Sequence, residues 1–287
     1  MTPKVNPFES LPRGTVRRDQ HWIEREYGRE KWPAVLAEAR RLIAGGETRL
    51  GALLWNLTIW EYGDDLDSEI EVVLLGKRVR MPTVSALAGF YELIRSSILR
   101  SCRPDTKTIL DLGAGWGRSL FLAWENGAPR SARYGCLEYT PSGRDCAELI
   151  ASAAPGMRLK TAYFDLRAPE LSSWRNEDHT VVFSVYGVEQ VPDITTAFFE
   201  QILALSPAVD VIHIEPVGWQ YRADLALAGL EGSSQAYAIA NDTNRNLWMR
   251  IKDLEKKGRV EIVRVIPDVY GLNPNNAASI IHWRKCA

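Results

Sequence analysis

The residues best suited to chemistry are those at 109–117, a short β-run through Asp111 and Leu112 that breaks into Gly113, Gly115 and Gly117. Alternating glycines can take the positive-φ conformations of a tight strand-to-helix turn. They also leave no Cβ in the path of a ligand lying on the main chain. A second acid, Glu138, closes the run 134–138, 21 residues after Gly117. A carboxylate at the carboxyl end of a strand can accept both hydroxyl hydrogens of a ribose in charge-assisted hydrogen bonds; the plainer reading is a solvated strand end. Further on, Tyr186, Glu189 and Gln190 follow a fourth apolar run, and His213 and Glu215 fall on one side of a fifth by period-two alternation. Glu189 or Glu215 could serve as a general base or anchor, because burial can tune a carboxylate toward neutral pH. His213 reads better as a hydrogen-bonded core histidine, and Glu215 equally well as a strand-end cap.

The elements that must position these groups are legible from periodicity. From Thr106 onward strands and helices alternate, with strands expected at 108–112, 134–138, 158–162, 180–184 and 209–215 and helices at 118–125, 142–153, 194–205 and 245–257. That alternation predicts a parallel sheet. Two last strands, 260–266 and 278–284, are joined by a Pro/Gly/Asn-rich loop without a helix, which predicts antiparallel pairing. Asn273, Asn275 and Asn276 in that loop fit a turn. The first third predicts helices around Trp32–Ile43, Leu50–Leu57 and Val84–Ile98. A hairpin over 70–81 about Gly76 and Lys77 lies between the second and third, after an acidic turn at Gly63, Asp64 and Asp65. Residues 1–20 carry three prolines and predict a loose arm.

Composition narrows the field. The chain has 287 residues, 46% hydrophobic, with a formal net charge of −1, so no general attraction to nucleic acid or anionic membrane is expected. Arg13, Arg17, Arg18, Arg25 and Arg29 alternate with Glu24, Glu26 and Glu30 and read as a solvated face. Four dispersed cysteines form no C-x-x-C pair, giving neither a disulfide framework nor a zinc site. No secretory h-region or apolar run of membrane-spanning length stands out. A cytoplasmic protein is therefore expected. Aromatics gather in the first third at Trp22, Tyr27, Trp32, Trp55, Trp60 and Tyr62, as core or as a lid over an apolar ligand. The stretch 218–246, with Trp219, Tyr221, Gly232 and Tyr237, is a second candidate wall.

The pattern Asp111-x-Gly113-x-Gly115-x-Gly117 resembles motif I of the class I S-adenosylmethionine-dependent methyltransferases, over roughly residues 106–287. The resemblance implies an α/β fold, a Rossmann-like, mostly parallel seven-stranded sheet with an antiparallel C-terminal strand, plus a helical N-terminal cap. It divides the chain into a cap at 1–105 and a cofactor-binding domain at 106–287. It implies S-adenosylmethionine as cofactor, held by Asp111, Gly113, Gly115, Gly117, Glu138, Asp165, Leu166 and Ser184. The segment carrying Tyr186, Glu189 and Gln190 would then lie between cofactor and acceptor, with Glu189, Glu215 and Tyr186 as catalytic candidates. The Asn/Asp-Pro-Pro-aromatic signature of amino-methylating DNA and protein-glutamine enzymes is not found. Methyl transfer to oxygen or nitrogen of a small molecule is expected, without a metal, from a chain that could pair as a homodimer. The alternatives are a protein methyltransferase, a non-catalytic cofactor-binding partner subunit, and an NAD-dependent dehydrogenase. The third glycine falls one residue early for the dinucleotide pattern G-x-G-x-x-G.

Overall fold

The computed structural model describes residues 17–63, 65–225, 237–238 and 240–286. Most of the expected arm, Arg13, Asp64 and Gly232 lie outside the described residues. The parallel strands are β3 (Thr106–Leu112), β4 (Arg133–Glu138), β5 (Arg158–Tyr163), β6 (His179–Val185) and β7 (Ala208–Glu215). The last two are β8 (Val260–Gly271) and β9 (Ala278–Lys285), and an N-terminal hairpin supplies β1 (Glu69–Leu74) and β2 (Lys77–Pro82). They form one sheet in the order β2-β1-β8-β9-β7-β6-β3-β4-β5. β9 runs antiparallel to both β7 and β8, as the helix-free connection requires.

The sheet has nine strands where seven were expected. The difference is the hairpin, which was read correctly as a hairpin but pairs with the sheet edge through Val73 and Leu74 against Gly271 and Tyr270. An edge strand leaves a row of unpaired backbone groups. β1 covers only the carboxyl end of that edge, at Tyr270 and Gly271, and β2 then ends the sheet with alternating Arg78 and Arg80.

Helices cover both faces. On one side lie α2 (Trp32–Ala44), α3 (Leu50–Tyr62), α4 (Thr83–Ser101), α5 (Arg118–Glu125) and α6 (Pro141–Ala151). Their apolar stripes join Ile109, Tyr134, Val181 and Phe183 of the sheet in one core. On the other side α7 (Thr196–Leu203) and α9 (Leu247–Lys256) pack on Leu110, Val182, Val211 and Trp283. α8 (Gly218–Leu225) follows β7. Among the described residues no helix is long and apolar enough to cross a membrane.

The first helix begins well before Trp32. A short α1 (Gln20–Ile23), capped by the Asp19 carboxylate accepting from Trp22 N at 2.8 Å, runs into a π-helical stretch at Glu24–Lys31 and then into α2. The sequence at 24–31 carries no apolar stripe of α-period. It is wound with i→i+5 bonds, which align residues five apart. Trp22 and Tyr27 meet edge to face at 5.8 Å, Tyr27 and Trp32 at 5.3 Å, and Lys31 pairs with Glu26 at 2.5 Å. Arg18, Glu26 and Lys31 are buried. The interleaved charges are thus not a uniformly solvated face: partners and rings on one side of the winding offset their desolvation.

The amino ends of the parallel strands are tied by a separate charge cluster. Asp210 at the start of β7 accepts from His179 Nε2 at 2.9 Å, His282 Nε2 at 2.7 Å and Arg103 at 2.6 Å. This cluster belongs to the scaffold, at the edge of the sheet opposite the glycine turn.

Candidate cofactor and acceptor site

The glycine turn connects the tip of β3 to α5. Gly113, Gly115 and Gly117 all have positive φ, at 75°, 55° and 81°. Steric need reinforces conformation at Gly115, where a Cβ would lie 2.8 Å from Trp32 Cζ2. The aromatic ladder of the first helix therefore rests directly on the turn. Gly113 faces Gly187 across the β3/β6 gap, the point where strand order reverses and where open α/β sheets bind ligands. A Cβ on Gly187 would meet the Leu112 carbonyl oxygen at 2.6 Å. The Gly187→Ala variant is expected to lose about 2 kcal/mol of stability by overpacking and to weaken ligand binding at the turn. A thermal melt and a titration on the same sample check both.

A cavity of about 490 Å³ opens at this switch point, within the usual range for small-ligand sites. Asp111, Gly113, Gly115, Glu138, Asp165, Leu166, Tyr186 and Glu189 line it. Asp111 is buried, and its carboxylate makes no hydrogen bond or ion pair among the described residues. Burial, with the nearby carboxylates of Glu138 and Glu215, pushes its pKa well above the usual carboxylate range. Such a group favours a cationic ligand, which would relieve the repulsion. Glu138 accepts from Gly115 N at 2.8 Å, Thr140 N at 2.9 Å and Thr140 Oγ1 at 2.8 Å, and burial raises its pKa. Asp165 accepts from Arg167 N at 2.9 Å, capping the next turn while also lining the cavity.

Three residues expected at the site do not line the cavity. Gly117 is the left-handed N-cap of α5 and packs toward Phe121, Ala147 and Cys136. Ser184 is fully buried in β6, its hydroxyl 3.0 Å from His213 Nδ1. Glu215 lies behind the wall, its carboxylate accepting from the backbone N–H groups of Gly187, Val188 and Glu189 at 3.0–3.1 Å. Burial and the Glu189 carboxylate push it up to about 8, against the opposing pull of Ser184 and those N–H groups. Its geometry is that of a brace for the 186–190 loop. Burial drives His213 down to about 3, so it stays neutral, as a core histidine would.

The loop it braces forms part of the cavity wall through Tyr186, Gly187, Glu189 and Gln190. Tyr186 has a positive φ of 52°, a conformation that costs free energy in a residue with a side chain and tends to persist at functional sites. Burial and the Glu189 carboxylate raise its hydroxyl pKa well above normal. It therefore acts as a donor, to the Asn276 carbonyl at 2.9 Å. Glu189 accepts from Gln190 Nε2 at 2.7 Å and Asn276 Nδ2 at 3.0 Å, and pairs with Arg18 at 3.5 Å. Asn276, read as a turn residue, thus also fixes the carboxylate. Arg18 additionally donates to Gln190 Oε1 at 2.5 Å and the Asn241 carbonyl at 2.8 Å.

Of the aromatic residues singled out earlier, Trp22, Tyr27, Trp32, Tyr62 and Tyr237 line the cavity, while Trp55, Trp60, Trp219 and Tyr221 do not. Sequence reasoning missed Arg18, Lys31, Glu61, Tyr91, Arg118 and Tyr139, all of them lining residues. Adjacency gave a signal for Tyr139, which follows Glu138 directly, and for Arg118, which follows Gly117.

Read from the far edge, the order β5-β4-β3-β6-β7-β9-β8, with a glycine turn after β3 and an acid at the tip of β4, is the fold of the class I S-adenosylmethionine-dependent methyltransferases. Among solved structures the chain is similar to geranyl diphosphate C-methyltransferase from Streptomyces coelicolor A3(2), crystallised with Mg²⁺, geranyl diphosphate and S-adenosyl-L-homocysteine. The TM-score is 0.52 at 10% identity, over 78% of this chain and 93% of that one. It also matches the O-methyltransferase TomG from Streptomyces achromogenes, at TM-score 0.44 and 14% identity over 70% and 80% of the two chains. No protein-family model matches the sequence, and no curated protein matches it. The chain has the methyltransferase fold, with a two-strand extension of its sheet.

Proposed function

We propose that this protein transfers the methyl group of S-adenosylmethionine to an oxygen or nitrogen of a small-molecule acceptor. The observation that carries this reading is one continuous cavity, which joins the glycine turn, Asp111 and Glu138 to a ring-lined chamber holding Glu189. The residues fit the cofactor: an uncommitted buried carboxylate at Asp111, a glycine turn whose Gly113 and Gly115 line the cavity, and a strand-tip acid at Glu138. When bound, it would supply a methyl group already activated by a sulfonium. The remaining contributions are alignment and exclusion of water, which the aromatic ladder and the Arg18 latch are built to provide. Cations and anions at the acceptor end balance in the pairs Arg18–Glu189 and Lys31–Glu26, which favours an uncharged, ring-bearing acceptor. The antiparallel end of the sheet, in place of a second mononucleotide-binding half, weighs against a dehydrogenase.

In this reading Glu189, which lines the cavity, orients the acceptor and takes its proton. A carboxylate offers about four acceptor sites, and at Glu189 three protein donors fix its orientation while leaving Oε2 with a single hydrogen bond. Glu189→Gln is expected to lower kcat about a hundredfold, within the usual range for a general base, with cofactor affinity little changed. Steady-state kinetics with any accepted substrate check this; an unchanged kcat would remove Glu189 from the proton path.

The reading is tested by calorimetric titration with S-adenosylmethionine, S-adenosylhomocysteine and NAD⁺, followed by product formation across hydroxylated and amino-substituted rings. Binding of NAD⁺ alone would overturn it. A pH signature accompanies the cofactor. Burial and the neighbouring carboxylates raise the Asp111 pKa in the free protein, and a cationic ligand favours its ionised form. Binding should release protons, and affinity should rise with pH on the acid side. Titration in buffers of different ionisation enthalpy measures the release, which Asp111→Asn should reduce. Proton uptake would contradict the assignment.

A further inference from the structure

One wall of the acceptor chamber is a continuous chain of contacts that starts at the glycine turn. Trp32 rests on Gly115, and Tyr27 packs on Trp32 at 5.3 Å and on Trp22 at 5.8 Å. The Arg18 guanidinium lies 4.9 Å over the Trp22 ring and pairs with Glu189. Arg18, Trp22, Tyr27, Trp32 and Glu189 all line the cavity. The rings on either side and the Lys31 ammonium, 4.7 Å from its ring centroid, fix the Tyr27 side chain. Yet its hydroxyl makes no hydrogen bond among the described residues, and unlike that of Tyr221 it is not sealed inside the protein. Burial raises its pKa against the opposing pull of the Lys31 and Arg18 charges, so the phenol keeps its proton and is a donor. The Glu189 carboxylate acts on the same hydroxyl. Among the described residues, Glu189 Oε2 accepts only from Asn276 Nδ2, at 3.0 Å.

A spare donor at Tyr27 and a spare acceptor at Glu189 in one chamber complement a group that both accepts and donates. A hydroxyl does so. An aryl amine donates twice, but its lone pair is drawn into the ring. An alkyl amine is a cation at neutral pH, with three donors and no acceptor, and would meet the charges of Arg18 and Lys31. The ring-lined walls suit an aromatic carrier. A phenol, with a pKa of about 10 as in tyrosine, also yields its proton to a carboxylate far more readily than an alkyl alcohol does. We propose that the acceptor is a phenol whose oxygen accepts from the Tyr27 hydroxyl and whose proton is donated to Glu189. This rests on the methyl-transfer reading and narrows it to oxygen. In the transfer the phenol proton passes to Glu189 Oε2 and an oxygen lone pair forms the bond to the methyl carbon. The carbon–sulfur bonding pair stays on sulfur, which becomes a neutral thioether. Tyr27 stabilises the negative charge that develops on the oxygen as its proton leaves.

The test is calorimetry on protein already saturated with S-adenosylhomocysteine, with a naphthol and the naphthylamine of the same substitution pattern as probes. The wild-type protein should bind the naphthol tighter by about tenfold or more, because the amine leaves the Tyr27 donor unmatched. Tyr27→Phe keeps the ring and its packing. It should erase most of that preference by weakening the naphthol alone, with S-adenosylhomocysteine affinity unchanged. The wild-type comparison decides by itself if the variant does not fold. Equal wild-type affinity for the two probes, preference for the amine, or binding of neither would overturn the phenol assignment and leave the cofactor reading intact. Equal weakening of both probes in Tyr27→Phe would make Tyr27 a wall residue only, also overturning it. So would loss of the preference in Tyr237→Phe but not in Tyr27→Phe, since Tyr237 lines the same cavity. Failure of the wild-type protein to bind S-adenosylhomocysteine would end the methyl-transfer reading itself.

Discussion

Replacing Glu138 with glutamine is expected to lower affinity for S-adenosylhomocysteine about thirtyfold, the loss of the charge-assisted hydrogen bond that a ribose hydroxyl can make to the acceptor site left on Oε2. Contacts to Gly115 N and to the amide and hydroxyl of Thr140 hold the carboxylate at the tip of β4, so little entropy is lost in aiming it. A glutamine can replace one accepting oxygen but presents an NH₂ group at the other, toward Gly115 N or toward the sugar. The decisive measurement pairs adenosine with dideoxyadenosine. Wild-type protein should prefer adenosine strongly, and the Glu138→Gln variant should not. If the variant weakened both equally, Glu138 would be only a brace of the glycine turn.

The second large effect falls on stability. Asp210→Asn should cost about 3 kcal/mol, because it leaves two histidines and Arg103 facing a neutral amide. For a chain of this size the melting temperature should fall by about 6 °C or more. Burial alone would raise the Asp210 carboxyl, but hydrogen bonds from His179 and His282 and the charge of Arg103 outweigh it and hold its pKa well below the usual range. A depressed carboxylate pKa adds stability above the unfolded value near 3.8, and that contribution is lost as pH falls through the folded value. The wild-type protein should therefore lose stability in acid more steeply than Asp210→Asn, whose curve should be flatter below pH 4. Parallel acid limbs would assign the acid sensitivity elsewhere. Cofactor affinity should be unaffected, since the cluster lies at the opposite edge of the sheet from the glycine turn.

Much of this fold was legible because its signals are local. The strand-to-helix turn at Gly113–Gly117, the acid at Glu138 and the alternation that builds β3 to β7 are written within a few residues of where they act. The helix at 118–125 matches its expected bounds. Where a signal depended on a remote partner, it misled or was silent. The Glu24–Lys31 stretch looked solvated because its charges alternate, and its π-helical winding is set by what it packs on. Glu215 carried the right residue type at the right strand tip, yet the loop folding back over it takes up its carboxylate. Glu61 and Arg118 form an ion pair across 57 residues, with no spacing that could announce it.

The sequence by itself determined the class of sheet, its switch point and the two acids, Asp111 and Glu138, that face the cavity there, since backbone conformation and strand periodicity are properties of short segments. Only the tertiary structure decided that the hairpin extends the sheet to nine strands. It also decided that Arg18 latches the first helix to Glu189, and that Trp22, Tyr27 and Trp32 stand in one ladder. Each of these depends on burial shared between distant segments. A charged or aromatic side chain can exchange water for a partner only after the whole chain has brought that partner within reach.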